Sequence, residues 1–249
     1  MAKQNDFGHM HAAYSAARRG YPAAVYEYLH TLSPKGEPHT LDVGCGTGIS
    51  TRELRHSGFA VVGADKDAQM IAAAAAVGDG IQYTVAPADA LPFEPAHFDL
   101  VTAFTAFHWF NDESSIKEIS RVMAPGGAFF VGLKRHKEIP ETDVFRSAYM
   151  AIFAKYAGPN FDTTEKHFDL QTLTSVFGNA ETKTFDVDES YTVEEALLLI
   201  RSLSIWNLVS EEDRAKMLVE LEALYTANQV DGHIVFKREI ATITCIKSI

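Results

Sequence analysis

Apolar residues in this chain fall into short blocks whose period changes along the sequence. Five short blocks read as strands, residues 39–43, 59–64, 81–86, 98–103 and 128–133, of which 59–64 is apolar throughout. Short unbroken runs of this kind read as strands of a parallel sheet covered on both faces. Between them lie stretches with helical spacing. Residues 112–123 carry Ile116, Ile119, Val122 and Met123 on one face. A helix opens at Pro22 and runs to about residue 32, since proline is favoured in a first turn. Residues 47–57 form a second, closed by Gly58, and 68–76 a third, with Asp67 as its N-cap. Strands alternating with helices predict an α/β fold, a Rossmann-like doubly wound sheet.

The pattern changes after residue 133. Helices at about 142–156 and 170–177 flank the loop Gly158-Pro159-Asn160, and residues 182–187 read as a sixth strand. Helices follow at 192–205 and 211–227; the first crowds Leu197, Leu198, Ile200 and Leu203 and opens on the capping-box string Thr192-Val193-Glu194-Glu195. The turn Asp231-Gly232 leads into a last strand or strand pair over 234–246. Neither a repeat nor a linker interrupts the 249 residues. The expectation is one domain, divided into an N-terminal helical cap (1–32), a core (39–133), a helical insertion (134–178) and C-terminal strands and helices (180–249).

Composition narrows the function. The net charge of −11 disfavours a phosphate backbone as partner, and the basic clusters Arg18-Arg19 and Lys134-Arg135-His136-Lys137 are short. The first twenty residues lack the long apolar run of a secretion signal or a membrane span. Of the two cysteines, Cys45 sits inside a glycine turn where a bulky partner would block a ligand, so both read as free thiols in a reducing compartment, the cytoplasm. No metal-ligand spacing is present. The sequence is silent on oligomeric state.

The organising stretch is Leu41-Asp42-Val43-Gly44-Cys45-Gly46-Thr47-Gly48, a strand end, a glycine turn and a helix start. Alternate glycines let a ligand lie against bare main chain, and the helix aims its free N–H groups at that ligand. A dinucleotide fingerprint needs a third glycine where this chain has Ile49. Asp42 would repel a pyrophosphate but suits a positively charged ligand. Asp65, 21 residues after Gly44, ends the second strand where a carboxylate can take two ribose hydroxyls.

The string Asp-Val-Gly-Cys-Gly-Thr-Gly resembles the first motif of the class I S-adenosylmethionine-dependent methyltransferases. Further segments match in order. Asp89-Ala90-Leu91-Pro92-Phe93 resembles the loop whose carboxylate accepts from the adenine amino group; as a residue, Asp89 also reads as a turn former. His108-Trp109 is similar to the His-Trp pair of small-molecule members, and Met-Ala-Pro-Gly-Gly (123–127) to the turn before the fifth strand. Tyr14-x-x-x-Arg18-x-x-Tyr21-Pro22 resembles the opening of the trans-aconitate methyltransferase-like, type 11 branch, although Arg19 stands where that pattern has proline. There the tyrosine and arginine close over the cofactor's methionine carboxylate.

The resemblance implies a seven-stranded, mostly parallel sheet with an antiparallel last strand and a helical lid after the fifth. It implies S-adenosylmethionine as cofactor, bound by Tyr14, Arg18, Asp42, Gly44, Gly46, Gly48, Asp65, Lys66, Asp89, Ala90 and Thr105. It implies methyl transfer to a small molecule, at a carboxylate or hydroxyl oxygen. His108 is the candidate base, or equally a core histidine among Phe104, Phe107 and Phe110. Trp109, Arg19 and Arg135 are the candidate substrate contacts. A nicotinamide-dependent oxidoreductase and a cofactor-binding protein without catalysis are the competing readings.

Overall fold

The computed structural model describes residues 18–33, 36–137, 144–158 and 170–249. Among them, seven strands form one sheet: β1 (His39–Val43), β2 (Ala60–Asp65), β3 (Gln82–Val85), β4 (Phe98–Phe104), β5 (Met123–His136), β6 (Glu181–Tyr191) and β7 (Ile234–Ile246). Their order is β3-β2-β1-β4-β5-β7-β6. The first five are parallel, with Leu41 opposite Val62 on one side and Val101 on the other. β7 runs against β5: Gly126 pairs with Lys247 at one end of it and Lys137 with Lys237 at the other. The doubly wound sheet is the fold the pattern predicts, and its antiparallel end is what the resemblance implies.

The helices are α1 (Ala23–Leu32), α2 (Ile49–His56), α3 (Ala68–Ala75), α4 (Glu113–Val122), α5 (Val144–Ala157), α6 (Leu170–Phe177), α7 (Val193–Arg201) and α8 (Glu211–Asn228). The chain gathers into two compact units. One is built from described residues within Gly20–Arg135, Lys166–Val187 and Glu239–Ile249. In it the period of two sorts apolar side chains to opposite faces of the sheet. Leu41, Val43, Val101, Phe129, Val131 and Ile243 pack with Ile116 and Ile119 of α4 and Leu173 of α6. Leu100, Phe130 and Ile240 pack with Val25 and Leu29 of α1 and Leu54 of α2.

The other unit takes described residues within Met1–Arg19, His136–Glu165 and Asp188–Arg238. Its core joins Tyr149 and Phe153 of α5, Leu199 and Ile200 of α7, Leu221 and Tyr225 of α8, and Phe236 at the start of β7.

Several boundaries differ from expectation: α7 ends at Arg201 rather than near 205, and β5 runs on to His136. Residues 124–127 read as a turn, but they lie within β5: Met123 pairs with Phe98, and pairing resumes at Ala128 opposite Leu100. The intervening main chain is not lost to solvent because Gly126 and Gly127 bond Lys247 instead. β6 runs to Tyr191 rather than ending near 187. Residues 159–169, which include Pro159 and Asn160 of the expected lid loop, lie outside the described residues.

Candidate functional site

The glycine turn sits where β1 ends, at the carboxyl edge of the sheet. The Gly44 and Cys45 amides donate to the Ala64 carbonyl at 2.7 and 3.1 Å, which ties the turn to the end of β2. Gly44 has φ +71°, and a Cβ there would come within 2.5 Å of the Ala106 methyl group and 3.2 Å of the Phe110 ring. The turn and the 106–110 loop therefore abut, which only glycine permits. Gly46, φ +55°, has none of the described atoms within 4 Å of where a Cβ would stand. Its side of the main chain is open. Gly48, at φ +79°, is the N-cap of α2.

Asp42 stands elsewhere than the sequence suggests. It is fully buried, and it accepts from the hydroxyls of Ser50 (2.7 Å), Thr51 (2.8 Å) and Thr102 (3.0 Å). Burial pushes its carboxyl up to about 6, against the pull of those hydroxyls. Asp42 braces β1, β4 and the start of α2 from behind the turn, so the expected direct ligand contact is corrected to a supporting role.

Asp65 ends β2. Its two oxygens accept from the amides of Gly46 and Asp67, each at 2.9 Å, and burial raises its pKa. It thus fixes the shape of the turn while keeping partial exposure. Asp67 caps α3 through the Gln69 and Met70 amides, as expected, and leaves Asp65 to the turn. Lys66 is exposed beside it.

Asp89 and Ala90 are exposed on the loop after β3. That loop is held by α4. Glu118 accepts from the Leu91 amide at 2.8 Å, and Arg121 donates to the Phe93 and Leu91 carbonyls at 2.9 and 3.1 Å while paired with Glu118.

Thr105 follows β4 with φ +51°, a left-handed conformation that a β-branched residue rarely adopts. Its amide donates to the Gly132 carbonyl at 2.6 Å, and its hydroxyl lies 2.6 Å from the Tyr21 hydroxyl. Strain of this kind collects at functional sites. His108 and Trp109 occupy the short turn Phe107–Trp109 that follows, His108 half-buried and Trp109 46% exposed, their rings 4.8 Å apart.

The arginines are engaged. Arg135 donates to Glu239 at 2.6 Å. Arg19 pairs with Glu195 at 2.7 Å and lies 4.8 Å over the Tyr191 ring, and Arg18 donates to the Ser202 carbonyl. The charges of Arg19 and Arg135, expected to offset a substrate carboxylate, are balanced within the protein. Tyr14 lies outside the described residues.

Sequence reasoning passed over several residues of this site. Thr47, inside the turn, is 2% exposed, and its hydroxyl has no hydrogen-bond partner among the described residues. Its place between two glycines was the available signal. Glu53 accepts from the Tyr21 amide at 3.0 Å and from the Tyr26 hydroxyl, and Lys134 donates to the Gly20 carbonyl at 2.6 Å. These contacts join positions 27 to 114 residues apart, which no local pattern reports.

Residues 41–131 match the methyltransferase domain family. An uncharacterized methyltransferase of Schizosaccharomyces pombe is 27% identical over 218 residues, 86% of this chain and 84% of that one. A malonyl-[acyl-carrier protein] O-methyltransferase of Enterobacter lignolyticus is 32% identical over 151 residues, 56% of this chain. This chain spans 59% of that relative's length. A candidate type II methyltransferase from Anaeromyxobacter dehalogenans superposes with a TM-score of 0.69 at 23% identity, over 93% of this chain and 97% of that one, which shows the shared fold. With its glycine turn, its sheet order and these matches, the chain is similar to the S-adenosylmethionine-dependent methyltransferases, and residues 41–131 carry the family's match.

Proposed function

We propose that this protein transfers a methyl group from S-adenosylmethionine to a carboxylate or hydroxyl oxygen of a small molecule, in the cytoplasm. The observation that carries the reading is the turn itself. Gly46 presents open main chain, and beside it a buried Thr47 hydroxyl lacks a partner among the described residues. A polar atom so placed fits a polar ligand lying along the turn. The negative charge of Asp42 behind the turn favours a cationic ligand over a pyrophosphate.

The bound cofactor supplies a sulfonium-activated methyl group, already a good electrophile. The chain's residues supply position. In our reading Gly44, Gly46, Gly48 and Thr47 cradle the amino-acid portion. Asp65 and Lys66 take the ribose, and Asp89 and Ala90 the adenine. Thr105 sets the floor at the end of β4. In-line alignment in a site shielded from water contributes about 7–11 kcal/mol to such a transfer. The aromatic stretch Phe104 to Phe110, with Trp109 exposed, suits an acceptor with an apolar part. A carboxylate acceptor is a nucleophile as it stands; a hydroxyl needs a proton removed, and His108 is the group to hold it. The O-methyltransferase named among the relatives supports oxygen as the acceptor atom. The net charge of −11 argues for a free small molecule over nucleic acid.

Calorimetric titration with S-adenosylmethionine and, separately, with NADH tests the cofactor. Binding of the first alone is expected, and binding of NADH alone overturns the reading. A labelled methyl donor offered with carboxylates, phenols and amines then tests the acceptor atom; labelling confined to the amines sinks the oxygen assignment. With a phenol, His108→Ala is expected to lower kcat by about 10²-fold or more with KM little changed, and with a carboxylate to leave kcat within about threefold.

A further inference from the structure

Tyr21, just ahead of α1, makes contacts that the cofactor reading leaves unused. Its main chain is clamped from two sides. The Tyr21 amide and the Tyr26 hydroxyl donate to the Glu53 carboxylate of α2, and the Lys134 ammonium donates to the Gly20 carbonyl at 2.6 Å. Position 20 requires glycine, since a Cβ there would stand 1.3 Å from Glu53 Oε1. The Tyr21 ring centre lies 4.5 Å from that of Phe104, the last residue of β4, with the Lys134 ammonium 4.9 Å over the Tyr21 face. So held, the phenol reaches the end of β4, where its hydroxyl stands 2.6 Å from the Thr105 hydroxyl.

Thr105 needs such a partner. Its φ of +51° persists only where surrounding contacts hold it. The Thr105 amide is held by the Gly132 carbonyl at 2.6 Å. On its hydroxyl oxygen the Lys134 amide donates at 3.3 Å, a longer contact than the one with Tyr21. A β-branched side chain has few rotamers, so fixing its oxygen restrains the main chain that carries it. That main chain leads to the glycine turn. The residue after Thr105 is Ala106, whose methyl group would lie 2.5 Å from a Cβ on Gly44. A path of direct contacts therefore runs from Tyr21 through Thr105 and Ala106 to Gly44, all within one unit.

We propose that Tyr21 is a positioning residue for the cofactor: its hydroxyl holds Thr105 in the left-handed conformation and so keeps Ala106 seated on the glycine turn. It acts through Thr105. Because Glu53 and Lys134 fix the Tyr21 main chain beforehand, little order has to be created when a ligand arrives, which favours affinity. The role rests on the reading of the turn as the S-adenosylmethionine site.

The test is calorimetric titration of the full chain with S-adenosylmethionine, with a melting curve recorded for every variant. Tyr21→Phe keeps the ring against Phe104 and removes only the hydroxyl. Its Kd is expected to rise about three- to tenfold, the worth of one hydrogen bond. Tyr28→Phe is the control for lost stability. It removes a like pair of hydroxyls, Tyr28 of α1 with Thr244 at 3.2 Å, and its Kd is expected to stay within about twofold of the wild type. On a Thr105→Ala background, Tyr21→Phe is expected to change Kd by less than about twofold, since the two hydroxyls act as one pair. Without ligand, amide exchange at Thr105 and Lys134 is expected to be faster in Tyr21→Phe by about fivefold or more. The role is overturned if Tyr21→Phe binds as the wild type does, if Tyr28→Phe weakens binding equally, if the loss persists on the Thr105→Ala background, or if exchange is unchanged. Each of these leaves the cofactor reading standing; a wild type that does not bind S-adenosylmethionine overturns that reading and this role with it.

Discussion

At the scale of single residues, the turn divides its chemistry between what faces a ligand and what holds the backbone. Thr47 tests the first part. Thr47→Val keeps shape and removes only the hydroxyl. Since that hydroxyl has no partner among the described residues, stability is expected to hold or rise, while the Kd for S-adenosylmethionine increases about three- to tenfold, the worth of one hydrogen bond. A fall in melting temperature with unchanged affinity would show instead that Thr47 serves the fold. Asp42 tests the second part. Its folded pKa, about 6, lies above the ordinary 3.8. The native state therefore binds the proton more tightly, and this contribution to stability is complete below about pH 4 and lost as pH rises to about 6. The difference corresponds to roughly 3 kcal/mol. Asp42→Asn does not titrate, so its urea midpoint is expected to gain on the wild type between pH 4 and pH 7; parallel curves would sink the argument. Sequence alone located Asp42 but misjudged its direction, because what turns it inward is three hydroxyls, two on α2 and one, Thr102, sixty residues away on β4.

At the scale of elements, local chemistry was legible and long-range chemistry was not. The N-cap at Asp67 and the reciprocal capping box of Thr192 and Glu195 stand where the sequence places them, because a cap is settled within four residues. The apolar stripe of α4 is also as predicted, with Ile116, Ile119 and Val122 fully buried. The Pro125-Gly126-Gly127 string misleads because its main chain finds its partner in Lys247, 120 residues on. The loop after β3 shows the same limit: Asp89 was readable as a candidate, but the Glu118–Arg121 pair that holds its loop was not. Arg121→Met removes two carbonyl contacts and leaves Glu118 without its cation. The expected result is faster amide exchange over residues 89–93, a loss of about 1–3 kcal/mol in stability, and weaker binding of the cofactor. Unchanged exchange in this loop would mean that its own turn, closed by the Ala90 amide on the Pro87 carbonyl, is sufficient to hold it.

For the whole molecule, the strand order has one consequence that the parallel core hides. β7, the last strand of the chain, lies inside the sheet between β5 and β6. Its side chains reach both faces: Ile240 joins the cluster beneath α1 and α2, and Ile243 the cluster beneath α4 and α6. Beyond the strand, the Lys247 ammonium donates to the Ser120 and Met123 carbonyls at 2.6 and 2.7 Å, which ties the chain end to the junction of α4 and β5. The glycine turn is formed by residues 44–48, yet the core beneath its sheet is completed only by residues 240–245. Ile243→Ala is therefore expected to cost about 2–5 kcal/mol, the usual range for a buried large-to-small change with a residual cavity, measured as the urea midpoint at constant m-value. The same variant tests whether the core and the turn act as one cooperative body. If they do, the protein that remains folded binds S-adenosylmethionine with unaltered Kd, and added ligand restores the midpoint by RT ln(1 + [L]/Kd). A higher Kd in fully folded protein would instead mean that β7 shapes the turn through the intervening strands β5 and β4, and the final strand would then count among the determinants of cofactor affinity.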